Sequence, residues 1–441
     1  MQTSKCSILL PVSVSMKKHT NMNRLINYYR TSLVAAVLFS FISCDKTAPE
    51  KLEPGRDLVL TVAERQKAES DNRFAFELFR KATADLKPDQ NALLSPLSIS
   101  TALAMTSNGA AGQTREAIEN TLKFGELDRE AINAYYQKLM VDLPALDPKT
   151  TLDIANSIWY RQGFQVLPAF LDVNRTYYKA DVSALDFGDP NAPNVINDWV
   201  NNKTKKKIPT IIDGGIPGDM MMYLINAVYF KGTWEQRFDK AATKKGTFTL
   251  PDGTSLETDF MHVKHTFNVA ATNKIEAIEL PYGDKKYSMV VLKSKAEVTP
   301  AQLMETLVDG EMWQTMVGAF HPVEADLSFP KFKFSYENKL NDELTEMGMG
   351  VAFSNAADFS GINADGNLSI SEVKHKSFIE VNEEGTEAAA VTSVGIVLSA
   401  TPQTYVFNVD RPFLFAIREM STGLILFIGQ VNNPSVEQTK L

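Results

Sequence analysis

Few of the side chains able to do covalent or metal chemistry are spaced to do it together. His262 and His265 stand three apart, but no cysteine or carboxylate nearby completes a ligand set, and Thr266-Phe267-Asn268-Val269 reads on as a strand. Gly109-Ala110-Ala111-Gly112-Gln113-Thr114 has the glycines of a phosphate cradle without its lysine, and a helix-ending turn accounts for it. Asp252-Gly253 and Asp213-Gly214-Gly215 carry turn chemistry. The chain holds no Gly-x-Ser-x-Gly elbow, no Gly-Lys-Ser/Thr phosphate loop and no His-Glu-x-x-His helix. With no nucleophile, base and orienting group in one place, catalysis, a metal site and a cofactor are all unexpected.

The informative stretch is non-catalytic. From Thr386 to Leu398 the alternate residues Thr386, Ala388, Ala390, Thr392, Val394, Ile396 and Leu398 are small or apolar and uncharged, which is the period of a strand with one buried face. The intervening set is small or polar, and no proline precedes Pro402, so both edges could pair, as a central strand requires. Taken alone, the segment reads as a permanent core strand.

The elements around it follow a grouped order. Phe74, Leu78 and Phe79 at helical spacing, with Asp71 suited to a cap, open a mostly helical first third. Ser95-Pro96 starts another helix, with Ile99, Leu103 and Ala104 on its apolar side. Apolar or alternating runs then mark strands at 152–160, 221–230, 275–280, 288–292, 325–334, 405–407, 413–418 and 424–430. Helices and strands that cluster rather than alternate give an α+β fold with largely antiparallel sheets. No linker or repeat divides 71–434, so one large domain is expected despite the 441-residue length.

The net charge of -8 is spread over interspersed acids and bases and argues against nucleic-acid binding. Its one dense basic run, Asn201-Asn202-Lys203-Thr204-Lys205-Lys206-Lys207, reads as a solvated helix end. At the start, basic Lys17, Lys18, Arg24 and Arg30 precede an apolar run from Leu33 to Ile42 that is too short to cross a bilayer, so residues 1–43 read as a signal peptide. Met16 or Met22 are alternative starts. Phe41-Ile42-Ser43-Cys44 resembles a bacterial lipobox with Phe41 where leucine is usual, which implies cleavage before Cys44 and a lipid on its thiol; a plain secretory signal is the alternative. Residues 44–70 are then a flexible tether, 435–441 a tail, and the part after Cys44 has no cysteine and so no disulfide. The expected location is the outer membrane or cell surface as a lipoprotein, or otherwise the periplasm or the medium.

Four segments resemble the serpin family in its order: Asn91-Ala92-Leu93-Leu94-Ser95-Pro96-Leu97-Ser98-Ile99-Ser100, Asn226-Ala227-Val228-Tyr229-Phe230-Lys231-Gly232-Thr233-Trp234, the hinge Phe378-Ile379-Glu380-Val381-Asn382-Glu383-Glu384-Gly385-Thr386-Glu387-Ala388-Ala389-Ala390, and Asp410-Arg411-Pro412-Phe413-Leu414-Phe415. The resemblance implies helices packed around three mostly antiparallel sheets, with residues 383–404 an exposed reactive-centre loop that becomes a central strand after cleavage. It also implies a stoichiometric trap for proteases rather than an enzyme, in a monomer, by insertion of the hinge Glu383, Gly385, Thr386, Ala388, Ala389 and Ala390. Lys331 would pair with Glu383 at the top of the sheet, with Trp234 beside the same opening. Counting from the hinge puts the cleaved bond at Ser399-Ala400; counting back from Phe407 allows Leu398-Ser399. Residues without Arg or Lys there point to elastase-, subtilisin- or chymotrypsin-like serine proteases, and papain-like cysteine proteases stay open. The competing readings are a non-inhibitory serpin acting as a carrier or binding module, and a hydrolase with an unrecognised site.

Overall fold

The computed structural model describes residues 53–295, 298–308, 310–386 and 404–440. The leader, Cys44 and the loop positions Ala388, Ala389, Ala390, Leu398, Ser399 and Ala400 lie outside the described residues.

Thr61 and Glu64 cap each other reciprocally: the Thr61 N–H donates to the Glu64 carboxylate at 2.7 Å, and the Glu64 N–H donates to the Thr61 hydroxyl at 3.3 Å. This capping box opens α1 (Val62–Ala82), which buries Phe74, Leu78 and Phe79 as their spacing predicts. Two boundary expectations are thereby corrected. The helix begins nine residues before Asp71, and Leu58 and Leu60 ahead of it are buried, so the later part of the tether expected over 44–70 belongs to the folded body. Asp71 is no cap; it sits mid-helix, buried, paired with Lys67 one turn earlier.

Eight further helices follow among the described residues: α2 (Pro96–Ser107), α3 (Gly112–Thr121), α4 (Arg129–Asp142), α5 (Pro168–Tyr178), α6 (Ala192–Lys203), α7 (Pro300–Glu305), α8 (Glu311–Gly318) and α9 (Asn341–Leu344). Ser95 caps α2, with Pro96 in the first turn where its missing N–H costs nothing. The Gly109–Gly112 stretch is the turn between α2 and α3.

Sixteen strands occur among the described residues: β1 (Ala92–Leu94), β2 (Thr150–Arg161), β3 (Asp181–Leu185), β4 (Met222–Thr233), β5 (Lys244–Thr249), β6 (Ser255–Ala271), β7 (Ile275–Tyr282), β8 (Tyr287–Ser294), β9 (His321–Pro330), β10 (Phe332–Lys339), β11 (Lys374–Asn382), β12 (Gly385–Thr386), β13 (Tyr405–Asn408), β14 (Phe413–Glu419), β15 (Ile425–Val431) and β16 (Gln438–Lys440). The larger sheet runs β1-β15-β14-β8-β7-β6-β9-β13 with β5 also on β6, and the smaller runs β16-β10-β11-β12-β4-β2-β3. Most pairs are antiparallel; β2 with β3, β9 with β13 and β10 with β16 are parallel.

Among the described residues the ladders connect into two hydrogen-bonded sheets, because two of the three expected sheets share a strand. β6 is long enough to pair with β5 at its start, β9 along its middle and β7 at its end, and so fuses two of the three into one ladder. The run 325–334 is two strands, because Lys331 turns aside to donate its N–H to the Asp259 carbonyl, leaving β9 in one sheet and β10 in the other. The tail also contributes structure: Gln438–Lys440 lies parallel to β10 at the edge of the smaller sheet. His262 and His265, an odd number apart on β6, face opposite sides and cannot share an ion.

Lys67 and Asp71 are almost wholly buried; the Tyr135 hydroxyl of α4 donates to Asp71 at 2.8 Å and Lys67 donates to the Leu122 carbonyl at 3.2 Å. Removing one charge strands the other. Asp71→Ala should therefore cost about 3 to 5 kcal/mol in chemical denaturation, whereas Lys67→Met with Asp71→Leu should recover most of the loss.

A candidate functional site at the centre of the smaller sheet

β11 ends in a tight turn at Glu383-Glu384, and the chain doubles back as the two-residue strand β12. Gly385 lies between Asn382 and Thr233, and Thr386 between Val381 and Gly232, antiparallel to both neighbours. Below this point, among the described residues, no ladder joins β4 to β11. The interval between the two strands is a cavity of about 560 Å³, with Phe230 and Asn226 on one lip and Ile379 and His375 on the other. Thr386 stands at its mouth, 4 % exposed.

Close approach explains two glycines. A Cβ on Gly385, whose φ is +152°, would lie 2.0 Å from the Gly232 carbonyl oxygen, and a Cβ on Gly232 would lie 2.5 Å from the Tyr282 ring. Only glycine lets the turn and β4 close on each other here.

The mouth is held by a cluster that includes both residues carried over from the resemblance. Lys331 Nζ lies 3.0 Å from Glu383 Oε1, and the Thr243 hydroxyl donates to the same oxygen at 2.8 Å. Lys240 pairs with Glu384 at 2.5 Å. Trp234 is no mere packing residue: its indole N–H donates to the Asn382 carbonyl at 2.9 Å, its backbone N–H to the Glu384 carbonyl at 2.9 Å, and its ring stacks on Tyr282 at 4.5 Å. The Tyr282 and Thr386 hydroxyls meet at 2.7 Å. Burial opposes ionisation of Glu383, but hydrogen bonds from its own backbone, Thr243 and Lys331 outweigh it and hold the carboxyl below its ordinary range.

The floor comes from the first turn of α2 and from β1. The Ser95 N–H donates to His375 Nε2 at 3.2 Å, the Ser98 hydroxyl to the Asn226 carbonyl at 3.4 Å, and the Ser377 hydroxyl to the Leu93 carbonyl at 2.7 Å, so both lips rest on one support. His375 is buried, and burial pushes its pKa down to about 4. A proton on Nε2 would also remove the acceptor that Ser95 uses. These floor residues, with Thr243, Lys240 and Tyr282, carry no motif of their own chemistry; Ser95 and Ser98 lie inside a recognised segment but gain a role only through the placement of α2 under the sheet.

The chemistry this arrangement offers is strand addition: two edges a strand's width apart, an apolar floor, and a chain already started between them.

The family model described as "Serpin (serine protease inhibitor)" matches residues 69–434. A serpin-like protein of Methanosarcina acetivorans is 34 % identical over 383 residues, covering 86 % of this chain and 88 % of the relative. The leukocyte elastase inhibitor of Xenopus laevis is 36 % identical over 371 residues, covering 82 % and 97 %. Among solved structures, a thermophilic serpin, Tengpin, in its native state superposes with a TM-score of 0.77 at 34 % identity, covering 87 % of this chain and 97 % of that one. A thyroxine-binding globulin in complex with thyroxine does so with 0.76 at 29 %, covering 84 % and 100 %.

Two outcomes follow from the geometry. His375 stays neutral in the fold down to about pH 4, while in the unfolded chain it takes up a proton below its ordinary value near 6.5. Stability is therefore unaffected above that value and falls as pH drops through the window, by about 3 kcal/mol at its foot; His375→Gln should flatten this part of the acid-denaturation curve. Gly385→Ala should lift the turn out of the mouth and speed cleavage at Glu384 by a glutamate-specific protease.

Proposed function

Since this chain belongs to the serpin family of serine protease inhibitors, we propose that it is a suicide-substrate inhibitor that traps proteases by inserting residues 386–398 between β4 and β11. The carrying observation is the cavity between those strands with Thr386 already paired on both sides at its mouth. Continued one for one, the register would bring residue 388 between Phe230 and Ile379, 390 between Val228 and Ser377, and 392 between Asn226 and His375. The side chains on that face are Ala388, Ala390 and Thr392, small and uncharged, as a floor of buried neighbours demands. A charge there would cost several kcal/mol to bury.

An uninserted chain is then held kinetically, because filling the slot adds buried apolar surface and ladder hydrogen bonds together worth on the order of 10 kcal/mol. A protease that cleaves the loop is joined to it as an acyl intermediate. If the new strand zips in before water releases the enzyme, roughly 40 Å of insertion drags the protease along the sheet and distorts it.

Cleavage is assigned to Ser399-Ala400, with Leu398-Ser399 one residue away, in favour of elastase-, subtilisin- or chymotrypsin-like enzymes. A relative named as an inhibitor of leukocyte elastase agrees with that preference. Export with a lipid on Cys44 is part of the same reading, and the mass of the mature amino terminus tests it.

Incubation with an elastase-like protease should give a complex that survives denaturant and release a peptide beginning at Ala400 or Ser399; clean cleavage without complex would instead assign the chain as a carrier or binding module. Thr386→Arg should convert it to a plain substrate. Loop cleavage by a protease that escapes capture should raise the melting temperature, and an unchanged melting temperature would remove the basis of the trap.

A further inference from the structure

The outer face of the slot is crossed by the chain that follows α6. Its residues Ile208, Ile211, Ile212 and Met220 line the same cavity from above. The strap is fixed to the half of the sheet formed by β2, β3 and β4. Lys203 pairs with Asp181 of β3 at 3.3 Å and Lys205 with Asp153 of β2 at 3.0 Å, while Arg161 at the end of β2 donates to the carbonyls of Pro217, Gly218 and Met220 at 3.0 to 3.2 Å. It is also fixed to the other half. Lys207 lies 3.7 Å from Glu380 of β11 with its ammonium 4.9 Å from the Phe378 ring, and Asp213 accepts from Lys374 of β11 at 2.6 Å. Lys374 meets a second carboxylate, Glu337 of β10, at 3.0 Å, and Glu337 also meets Lys376 at 3.0 Å, so that neighbour belongs wholly to the moving half.

Within the sheet, among the described residues, the two halves are laddered together through Gly385 and Thr386. Above it they are joined by these ion pairs. The basic run Lys203–Lys207, which reads in sequence as an ordinary solvated helix end, is thus paired on both sides of the slot. A strand entering between β4 and β11 drives β11 away from a strap anchored on β2, and the two pairs to β11 are polar contacts that this displacement stretches.

We propose that Lys207–Glu380 and Asp213–Lys374 form an ionic clasp across the slot that sets how fast it opens. The inference rests on the insertion reading and adds to it what controls the rate. All four side chains are between 19 % and 48 % exposed, so each pair is weak and open to screening by salt. A clasp of this strength slows opening without forbidding it, and in a race between insertion and deacylation a few-fold change in rate decides whether a protease is trapped or released.

The test is the annealing of a synthetic peptide with the sequence of residues 386–398 to the full-length chain, followed by native electrophoresis. For the wild type, annealing should speed up roughly two- to tenfold as sodium chloride rises from about 0.02 to about 0.5 M. Asp213→Asn with Glu380→Gln should anneal at the high-salt rate throughout, with its salt dependence gone. Lys149→Gln, which breaks the 2.5 Å surface pair with Asp284 elsewhere, should behave as wild type. Exchange of charges in the other pair, Lys207→Glu with Glu380→Lys, should keep annealing slow and salt-dependent and separates the clasp from general loosening. Equal rates and equal salt slopes in the neutral variant and the wild type overturn the clasp while leaving insertion intact. Peptide that anneals to no variant at any salt overturns insertion, and the clasp with it.

Discussion

Between β4 and β11 the ladder of the smaller sheet is closed by two residues, Gly385 and Thr386, and continues no further among the described residues. Backbone edges side by side over a buried floor are a template for another strand, since pairing and burial are both gained when one enters. The remaining features of the site bear on this interval. The floor keeps its lips on a common support through Ser95, Ser98 and Ser377. The mouth holds Gly385 and Thr386 and the turn before them in place through Trp234, Lys331 and Tyr282.

Hydrogen bonds and ion pairs hold the mouth, and half-exposed ion pairs tie the strap to both halves of the sheet. On the proposed insertion reading, the ion pairs of the strap suit a slot that stays closed and then opens. Ion pairs and hydrogen bonds at half-exposed positions are worth little each, exchange readily with water and can be remade after movement. A slot closed by buried hydrophobic packing would instead open only at the cost of exposing that surface. The deep pair Lys67–Asp71 in α1 belongs to the opposite category: buried, bonded to Tyr135 and remote from the slot, it stabilises a part of the fold that has no need to move.

Much of the site is legible in the residues themselves. The period-two pattern of residues 386–398 marks the segment able to pair on both edges, and the four motifs place it in a family. The lipobox-like Cys44 and the scissile bond rest on sequence alone. What the sequence conceals are relations between distant segments. The start of α1 is hidden because its signal, Thr61 and Glu64, lies ahead of the apolar stripe that marks the helix. The run 325–334 conceals two strands of different sheets, since alternation continues through Lys331 although the hydrogen-bond partner changes. His375 and Asn226 have the character of ordinary strand residues and acquire a role only by facing each other across the cavity.

The sequence by itself determined the small, uncharged face of the hinge, the glycine at its turn and the alternation of the strands, because each depends on neighbours within a few positions. Only the tertiary structure decided that β4 and β11 stand apart, that α2 carries both, and that a basic helix end lies across them. Most of those are relations between distant segments, such as Asn226 and His375, and local periodicity specifies which face a strand buries without specifying which strand lies beside it.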